Sequence, residues 1–369
     1  MGSKAKIVIA GGGTGGHVYP ALAIANGLVN RGVQKGQIIF FGSGRTIENE
    51  LVPAHGYKLV TFPGRGLNRS ETFRNLVNVA NLSFAVLKAL TIFIKSRPKI
   101  VIGVGGYASV PAIIAASILR INRVVHEQNS VVGRTNLIAQ KLGAKLITTF
   151  PETVGAPKTS IRLGLPLSEG IDDAIESRRN MKINKRVTKR VVVTGGSLGS
   201  VALNEVVVKM VSKYKDDLDF EIVHICGKNN YQKTKELYEK ADCFEKVALH
   251  SYRDDLSQLY ALSDCVVSRA GAGTCVELEA LGVPCVLVPL GSAPGNHQLK
   301  NSHFLQISGL AKILDQKNLN ESILYELVKD RLIKADDIEP NVFNLESKSR
   351  ISNYLISEYG LLNLTTGKN

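Results

Sequence analysis

The chain has 369 residues, of which 44% are hydrophobic and 21% charged. This length suggests two domains of roughly 150 to 200 residues, and the composition fits a soluble globular protein. A formal net charge of +14 favours anionic partners, namely nucleotide phosphates, nucleic acid or an anionic membrane surface. A basic surface without a specific partner is the alternative.

The cysteines argue against a disulfide framework or a zinc site, since their number is odd and no pair has CxxC spacing. We expect buried free thiols in a reducing cytosol at Cys226, Cys243, Cys265, Cys275 and Cys285. The N-terminus has no basic segment followed by a long apolar one, so we expect no signal peptide.

Strand-like apolar runs alternate with helical stretches through both halves of the chain. In the first half they are KIVIAGG, QIIFFGS, YKLVTF, KIVIGVGG, VVHEQ and KLITTF. In the second half they are RVVVTGG, EIVHICG, KVALHSY, CVVSRAG, PCVLVPL and AKILD. This alternation predicts βαβ units, and the Val/Ile runs predict parallel strands buried on both faces. We therefore expect an α/β protein with two Rossmann-like parallel-sheet domains.

A segment rich in proline and glycine, residues 151–171, predicts the linker between the two domains. We expect an N-terminal domain over residues 1–164 and a C-terminal domain over residues 165–344. A terminal helix over about residues 345–369 is expected to close the N-terminal domain.

Residues 73–99 could be mistaken for a membrane span. Three asparagines at every third position, together with Ser83 and Lys88, make the segment more polar than a span of about 20 predominantly apolar residues. We predict a long amphipathic helix instead.

The loop after the first predicted strand reads GGGTGGH. Gly11, Gly13 and Gly16 match GxGxxG, but a dinucleotide site also needs an acidic residue at the end of the second strand, which reads FFGSGRT. Arg45 keeps NADP, and hence an oxidoreductase, open as an alternative. Glycines let the backbone approach a ligand, and amides at a helix N-terminus attract anions, so we expect a phosphate-binding loop.

His17 lies at the start of the helix that follows this loop. A helix N-terminus disfavours a cation, so a neutral imidazole is expected there, able to accept a proton from a substrate hydroxyl. A capping or buried histidine is the alternative.

Two further polar segments follow strands of the first half. GVGGYAS, residues 103–109, is a second glycine-rich turn. The quartet His126, Glu127, Gln128 and Asn129 ends a strand, where ligand-binding loops are expected. For His126 and Glu127, pairing with each other or capping of the next helix is the alternative.

In the second half, TGGSLGS places Ser197 and loop amides at a helix N-terminus, which suits a phosphate. In SRAGAGTCVE we expect the strand to end at Ser268, the helix to start near Thr274 and Glu277 to lie in its first turn. Glu277 is predicted to accept both hydroxyls of a ribose, with stabilisation of the helix N-terminus as the alternative. A further helix is predicted to begin with His297, Gln298 and Asn301.

Metal ligands with suitable spacing are missing from the sequence, and we expect no metal site. Asp217 and Asp219 form a DxD pattern, but they precede a strand rather than follow one. We interpret them as a solvated turn.

In order along residues 6–310, the segments GGGTGGHVYPALAIA, GVGGYASVP, HEQNSVVGRTN, VTGGSLGS and SRAGAGTCVELEALGVPCVLVPL…NHQ resemble the MurG family. Its members are the UDP-N-acetylglucosamine:undecaprenyl-pyrophosphoryl-N-acetylmuramoyl-pentapeptide N-acetylglucosaminyltransferases of peptidoglycan synthesis. The resemblance implies a GT-B architecture, in which two Rossmann-like domains face a cleft. It also implies an inverting enzyme, without an essential metal or other cofactor, that forms a β-1,4 bond between UDP-N-acetylglucosamine and the polyprenyl-diphosphate-linked acceptor lipid I.

By position, the resemblance makes His17 the candidate base for the acceptor hydroxyl. It places Thr14, Gly15 and Gly16 against the donor sugar and the acceptor diphosphate, and Asn129 against the donor sugar. The remaining acceptor candidates are Tyr107 and Glu127.

In the C-terminal domain, which would bind the donor, the resemblance assigns a UDP phosphate to Ser197 and uracil to the backbone of Arg253. It assigns the ribose to Glu277 and the sugar hydroxyls to Gln298. The diphosphate would be held by Ala272, Gly273, Thr274, Cys275 and Val276.

The sequence departs from the family pattern at several positions. Ser168 replaces an arginine that contacts the donor phosphate, with Arg162 nearby at a different spacing, and Leu198 and Val110 replace a glutamine and a glycine. Two alternatives therefore stay open: transfer to another lipid such as diacylglycerol, and a non-catalytic protein that binds UDP-sugars.

The apolar residues of 73–99 and 113–123 lie in the proposed acceptor domain. Because they are flanked by cations, we predict peripheral attachment to anionic lipid. The resemblance implies that this lipid is the cytoplasmic face of the inner membrane and that nucleic acid is not a partner. An ordinary core-facing helix is the alternative. The cations are Arg74, Lys88, Lys95, Arg97, Lys99, Arg120 and Arg123.

Overall fold

The computed structural model describes residues 6–44, 46–62, 72–167, 170–183, 187–196, 199–291, 293–333 and 340–362. Within these ranges, the side chains of residues 46, 72–78, 294 and 342 are not described. The chain divides into two units, of which the first ends at residue 168 and resumes at residue 346, and the second covers the residues between.

The first unit is built on a seven-stranded parallel sheet with the order β3-β2-β1-β4-β5-β6-β7. Its strands are β1 Ile7–Ala10, β2 Ile38–Gly42, β3 Lys58–Thr61, β4 Ile100–Gly103, β5 Asn122–Glu127, β6 Lys145–Thr148 and β7 Ile161–Arg162. Its helices are α1 Gly15–Val29, α2 Thr46–Ala54, α3 Thr72–Ser96, α4 Ser109–Ile118, α5 Arg134–Lys141 and, at the chain's end, α13 Ser347–Tyr359.

The second unit is built on a six-stranded parallel sheet with the order β10-β9-β8-β11-β12-β13. Its strands are β8 Lys189–Thr194, β9 Phe220–Ile225, β10 Val247–His250, β11 Cys265–Ser268, β12 Cys285–Leu287 and β13 Ala311–Ile313. Its helices are α6 Ile171–Ile183, α7 Val201–Tyr214, α8 Tyr231–Lys240, α9 Leu256–Ala261, α10 Ala272–Leu281, α11 His297–Ile307 and α12 Glu321–Ile333.

The central strand β1 explains why the first sheet carries helices on both faces. All four of its residues are buried. Ile7 and Ile9 join the core beneath α1 and α13, whereas Val8 and Ala10 join the core beneath α3 and α4. Side chains alternate along a strand, so a run of apolar residues can be buried only between two layers of helices.

Both sheets have a topological switch point at their centre. The chain turns to one side after β1 and to the other after β4, and it does the same after β8 and β11. In open parallel sheets, ligands bind outside the carboxyl ends of the strands at such points. All four glycine-rich motifs therefore lie where a ligand site is expected.

The predicted strands and the amphipathic helix are confirmed, while the predicted linker is partly wrong. Residues 161–162 pair with β6 as β7, which extends the first sheet into the expected linker. A two-residue strand leaves no periodicity in the sequence.

The five cysteines are all free and buried, as expected.

Among the described helices, α3 stands out, because its stretch Val79–Ser96 is long and apolar enough to cross a membrane by length and composition. Its buried positions recur at every fourth residue, Ala85, Ala89 and Phe93, which pack in the core of the first unit.

Candidate active site

The loops after β1 and β4 contact each other at the first switch point. The Ser109 hydroxyl lies 2.7 Å from the carbonyl oxygen of Ala10 and 2.8 Å from that of Gly105, and donates to one of the two. Gly106 has a φ of +78°, and a Cβ at this position would lie 2.5 Å from the Gly12 carbonyl oxygen. Only glycine permits this approach, so GVGGY serves first to pack against GGGTGG.

His17 is oriented by the first glycine loop. Its Nδ1 lies 3.2 Å from both the Gly12 carbonyl oxygen and Thr14 Oγ1. A carbonyl only accepts, so in a neutral ring the proton sits on Nδ1 and the lone pair on Nε2. Nε2 lies on the side of Gly105, where a Cβ would approach it to 2.8 Å. The geometry thus presents Nε2 as the atom able to accept a proton.

A buried carboxylate lies behind the same loop. Glu48 of α2 is 1% exposed, and its Oε2 accepts from the Gly13 amide at 2.6 Å. Its Oε1 accepts from the amide and the hydroxyl of Ser43, both at 2.6 Å. The Gly13 amide is therefore committed to the Glu48 carboxylate and is not available to a ligand. This removes one of the loop amides that the dinucleotide alternative would use for its pyrophosphate.

The carboxylate of Glu127 is engaged within its own loop. Oε1 accepts from the backbone and side-chain nitrogens of Asn129, at 3.0 and 3.3 Å, and Oε2 accepts from Gly133 and Asn136, both at 2.8 Å. Glu127 thus orients Asn129.

The neighbouring His126 is buried, with Nε2 donating to the Gly164 carbonyl at 2.8 Å and Nδ1 accepting from Gln128. Burial lowers the pKa of His126, so this ring is a neutral structural element.

Tyr107 lies in the loop after β4 and carries a buried hydroxyl group. Its hydroxyl oxygen is buried and has no hydrogen-bond partner within the part of the chain that the structure describes. Burial raises the pKa of this phenol, so it stays protonated and able to donate. An unpaired buried hydroxyl is costly, which makes Tyr107 a candidate ligand contact.

At the second switch point, the N-terminus of α10 carries the predicted diphosphate residues. The helix begins at Ala272, earlier than predicted, and Gly271 at its N-cap has no side chain to bond the first amides. These amides have no partner within the helix and suit an anion. Glu277 is the sixth residue of α10, so its prediction in the first turn is wrong, and the alternative that it stabilises the helix N-terminus loses its basis.

Two other predicted donor contacts are fixed by local bonds. Arg253 donates to both carboxylate oxygens of Asp255, at 2.7 and 2.5 Å, which leaves its backbone rather than its guanidinium for a base. Gln298 is the second residue of α11, at the start of the helix as predicted, and its Oε1 accepts from the Leu290 amide at 2.9 Å. Ser197, Leu198, Ser168 and Arg45 lie outside the described residues.

Three buried charged residues near these loops were not predicted from the sequence: Glu48, Arg269 and Glu279. Arg269 follows β11 and donates to Ser200 Oγ at 2.6 Å. Glu279 of α10 accepts from the side-chain amides of Asn341 and Asn344, at 2.7 and 3.0 Å, and so ties α10 to the segment that precedes α13. Their only sequence signal is a charge within an otherwise apolar or glycine-rich stretch.

No group of three or more His, Cys, Asp or Glu side chains among the described residues could hold a metal ion. Asp219 instead accepts from Lys329 at 2.7 Å, which lowers the pKa of its carboxyl group.

Comparison with protein families matches residues 7–148 to the glycosyltransferase family 28 N-terminal domain and residues 190–353 to the family 28 C-terminal domain. A UDP-N-acetylglucosamine–N-acetylmuramyl-(pentapeptide) pyrophosphoryl-undecaprenol N-acetylglucosamine transferase from Shewanella frigidimarina is 33% identical over 327 residues, 88% of each chain. The transferase of the same name from Caldanaerobacter subterraneus is 33% identical and covers 92% of this chain and 93% of its own.

The crystal structure of Acinetobacter baumannii MurG is 27% identical, covers 95% of this chain and 98% of its own, and has a TM-score of 0.71. The chain belongs to glycosyltransferase family 28 and, within it, to the MurG family. The calicheamicin glycosyltransferase CalG4 shares the fold alone, at 15% identity, a TM-score of 0.65 and coverage of 96% and 98%.

For this MurG-family chain, Glu48 provides a test of the loop geometry. Glu48→Ala removes the acceptor of two backbone amides and a hydroxyl, and each polar group left unpaired costs about 1–3 kcal/mol. We expect a lower melting temperature and faster hydrogen exchange in the peptide that contains Gly13. Glu48→Gln keeps one acceptor oxygen and should lose less.

The matched control is Glu50→Ala, because Glu50 is an exposed carboxylate on the same helix. It should change stability by about 0.5 kcal/mol or less. Equal melting temperatures for Glu48→Ala and Glu50→Ala would show that the carboxylate does not hold the loop.

Proposed function

We infer that this chain transfers N-acetylglucosamine from UDP-N-acetylglucosamine to lipid I, undecaprenyl-diphospho-N-acetylmuramoyl-pentapeptide, and so forms lipid II for peptidoglycan. The observation that carries this function is the 33% identity to transferases of that name over nearly nine-tenths of both chains. The glycine loops at the two switch points support it, because they are the parts a nucleotide-sugar transferase needs.

The reaction is a single displacement with inversion at the anomeric carbon. The 4-hydroxyl of the N-acetylmuramoyl residue attacks that carbon, the bond to the β-phosphate breaks, and UDP leaves with the bonding electrons. The hydroxyl proton must pass to a base, and we assign it to Nε2 of His17, because Nδ1 is directed at the Gly12 carbonyl.

The second unit would hold UDP. The uncapped amides of Ala272, Gly273 and Thr274 suit the diphosphate, and Cys275 and Val276 continue that turn. The carboxylate of Glu277 would accept the ribose hydroxyls, Gln298 would bind the sugar, and the backbone of Arg253 would bind uracil. Ser197 would contact a phosphate of UDP.

The first unit would hold lipid I. Thr14, Gly15 and Gly16 start α1, beyond the amide that Glu48 occupies, and so suit the acceptor diphosphate. The Tyr107 hydroxyl, which no group among the described residues pairs with, would be available to the acceptor. Glu127 would act by holding Asn129, the candidate contact of the donor sugar, through two hydrogen bonds.

The apolar side chains of α3 would attach the protein peripherally to the cytoplasmic face of the inner membrane. The side chains of Val79, Phe84, Leu87 and Ile94, and of Ile118 on α4, are 50–62% exposed. We call these five the apolar patch. Since α3 also packs into the core through Ala85, Ala89 and Phe93, it would lie on the bilayer rather than cross it.

The cations around the apolar patch fall into two groups. Lys88, Lys99 and Arg123 donate to backbone carbonyls of the first unit and are held by the fold. Lys95, Arg97 and Arg120 are exposed and can reach lipid phosphates, while the Arg74 side chain lies outside the described residues. Charge and apolar area thus occur together, as peripheral binding requires. No nucleic-acid partner is proposed.

Kinetics of two variants test the roles of His17 and Glu277. His17→Ala should lower kcat by about 10²- to 10⁴-fold and change UDP affinity little, since it removes the base. Glu277→Ala should weaken UDP binding about 10- to 100-fold, since charge-assisted hydrogen bonds are lost. Turnover is measured with a short-chain lipid I analogue and UDP affinity by calorimetry.

The controls are His303→Ala and Glu326→Ala, which remove the same side chains from exposed positions of α11 and α12. Both should behave as the wild type. Wild-type turnover in His17→Ala would eliminate this residue as the base, and unchanged UDP affinity in Glu277→Ala would eliminate the ribose contact.

Vesicle binding tests the apolar patch. The wild type should sediment with anionic vesicles and be released by salt, whereas the double variant Phe84→Asp, Leu87→Asp should stay in the supernatant. Ile307→Asp on α11 is the control, because Ile307 is 87% exposed but belongs to the second unit. Failure of the wild type to bind at low salt, or equal binding by the double variant, would contradict peripheral attachment.

A further inference from the structure

Arg269 is a buried cation at the second switch point. It follows the last residue of β11 and is 9% exposed. Nη2 donates to Ser200 Oγ at 2.6 Å, and Nη1 donates to the Val288 carbonyl at 3.0 Å. Ser200 caps the helix after β8, and Val288 follows β12. The guanidinium therefore bridges the carboxyl ends of three neighbouring strands.

Within the described part of the chain, no carboxylate forms an ion pair with Arg269. The two groups that accept from its guanidinium, a hydroxyl and a backbone carbonyl, are both neutral. Burial without a counter-charge disfavours the cation and lowers the pKa of this guanidinium. The surroundings add to the cost, because α7 and α10 both begin at this edge and helix N-termini carry partial positive charge. Positive charge thus accumulates here without compensation.

A second buried arginine of the same unit shows a different arrangement. Arg178 of α6 donates to the carbonyls of Ala261, Ser263 and Gly282, which lie just before β11 and β12, at the amino edge of the sheet. Carbonyls at that edge carry the partial negative charge that a cation needs. Arg178 thus serves the fold, whereas Arg269 lies where the fold itself is positive.

We propose that Arg269 supplies the fixed positive charge that balances the phosphates of the uridine nucleotide at this edge, and that it holds Ser200 at the start of α7. The proposal rests on the donor assigned above. It predicts that the contribution of Arg269 to binding affinity increases with the number of phosphates on the ligand, because a bound anion compensates the buried charge.

The test compares the affinities of uridine, UMP and UDP by calorimetry. Arg269→Gln should weaken UDP binding about 10- to 100-fold, UMP binding less, and uridine binding less than about twofold. Arg269→Lys keeps the charge but not the planar fork, so UDP binding should weaken by only a few fold. The matched control is Arg190→Gln, which removes the same charge from the start of β8, where Arg190 pairs with Glu221. It should bind UDP as the wild type does.

Equal weakening of uridine and UDP by Arg269→Gln would mean that Arg269 only supports the fold, and would overturn the proposal. Unchanged UDP affinity would overturn it too, while leaving the donor site intact. A wild type that binds no UDP would overturn the proposed function and this assignment with it. Should Arg269→Gln not fold, Arg269→Lys decides by the same criterion: selective weakening of UDP supports the proposal, and equal weakening of uridine contradicts it.

Discussion

Parallel pairing of fully buried strands is the constraint on which the rest of the molecule depends. Because β1 pairs in register with β4, and β8 with β11, their carboxyl ends lie side by side and their loops must meet. Each strand is apolar on both faces, so each needs helices on both sides, and each helix must start at the same edge of the sheet. The contact between the loops and the position of the helix N-termini therefore both follow from the parallel hydrogen bonding of the strands.

The two switch points share this backbone plan but differ in charge. At the first, Glu48 accepts from the Gly13 amide, and Nδ1 of His17 lies beside the Gly12 carbonyl oxygen. At the second, the uncapped start of α10 and the buried Arg269 leave positive charge that no acidic side chain among the described residues pairs with. The first is the proposed site of the acceptor and its attacking hydroxyl, and the second suits the nucleotide diphosphate that must leave. This division matches the two substrates of a MurG-family transferase.

The local sequence was sufficient to predict the strands and helices, but not the side-chain contacts between them. Every predicted strand formed, since apolar runs of this kind can be buried only in a two-sided sheet, whereas β7 left no periodic signal. The α10 helix begins at Ala272, two residues before the predicted start, because its N-cap is the extended Gly271, which composition alone does not mark. Glu48 and Arg269 were missed because their partners, Gly13 and Ser200, are 35 and 69 residues away. The roles of His17, Glu277 and the other site residues stay predictions.

Acceptor choice is the most direct test of the central claim. Purified protein is given radiolabelled UDP-N-acetylglucosamine with a short-chain lipid I analogue or with diacylglycerol, and the labelled lipid and released UDP are quantified. We predict one labelled sugar per lipid I, in β-1,4 linkage to the N-acetylmuramoyl residue, with an equal amount of UDP and no labelled diacylglycerol. Labelled diacylglycerol without labelled lipid I would contradict the assignment, as would binding of UDP without transfer to either lipid.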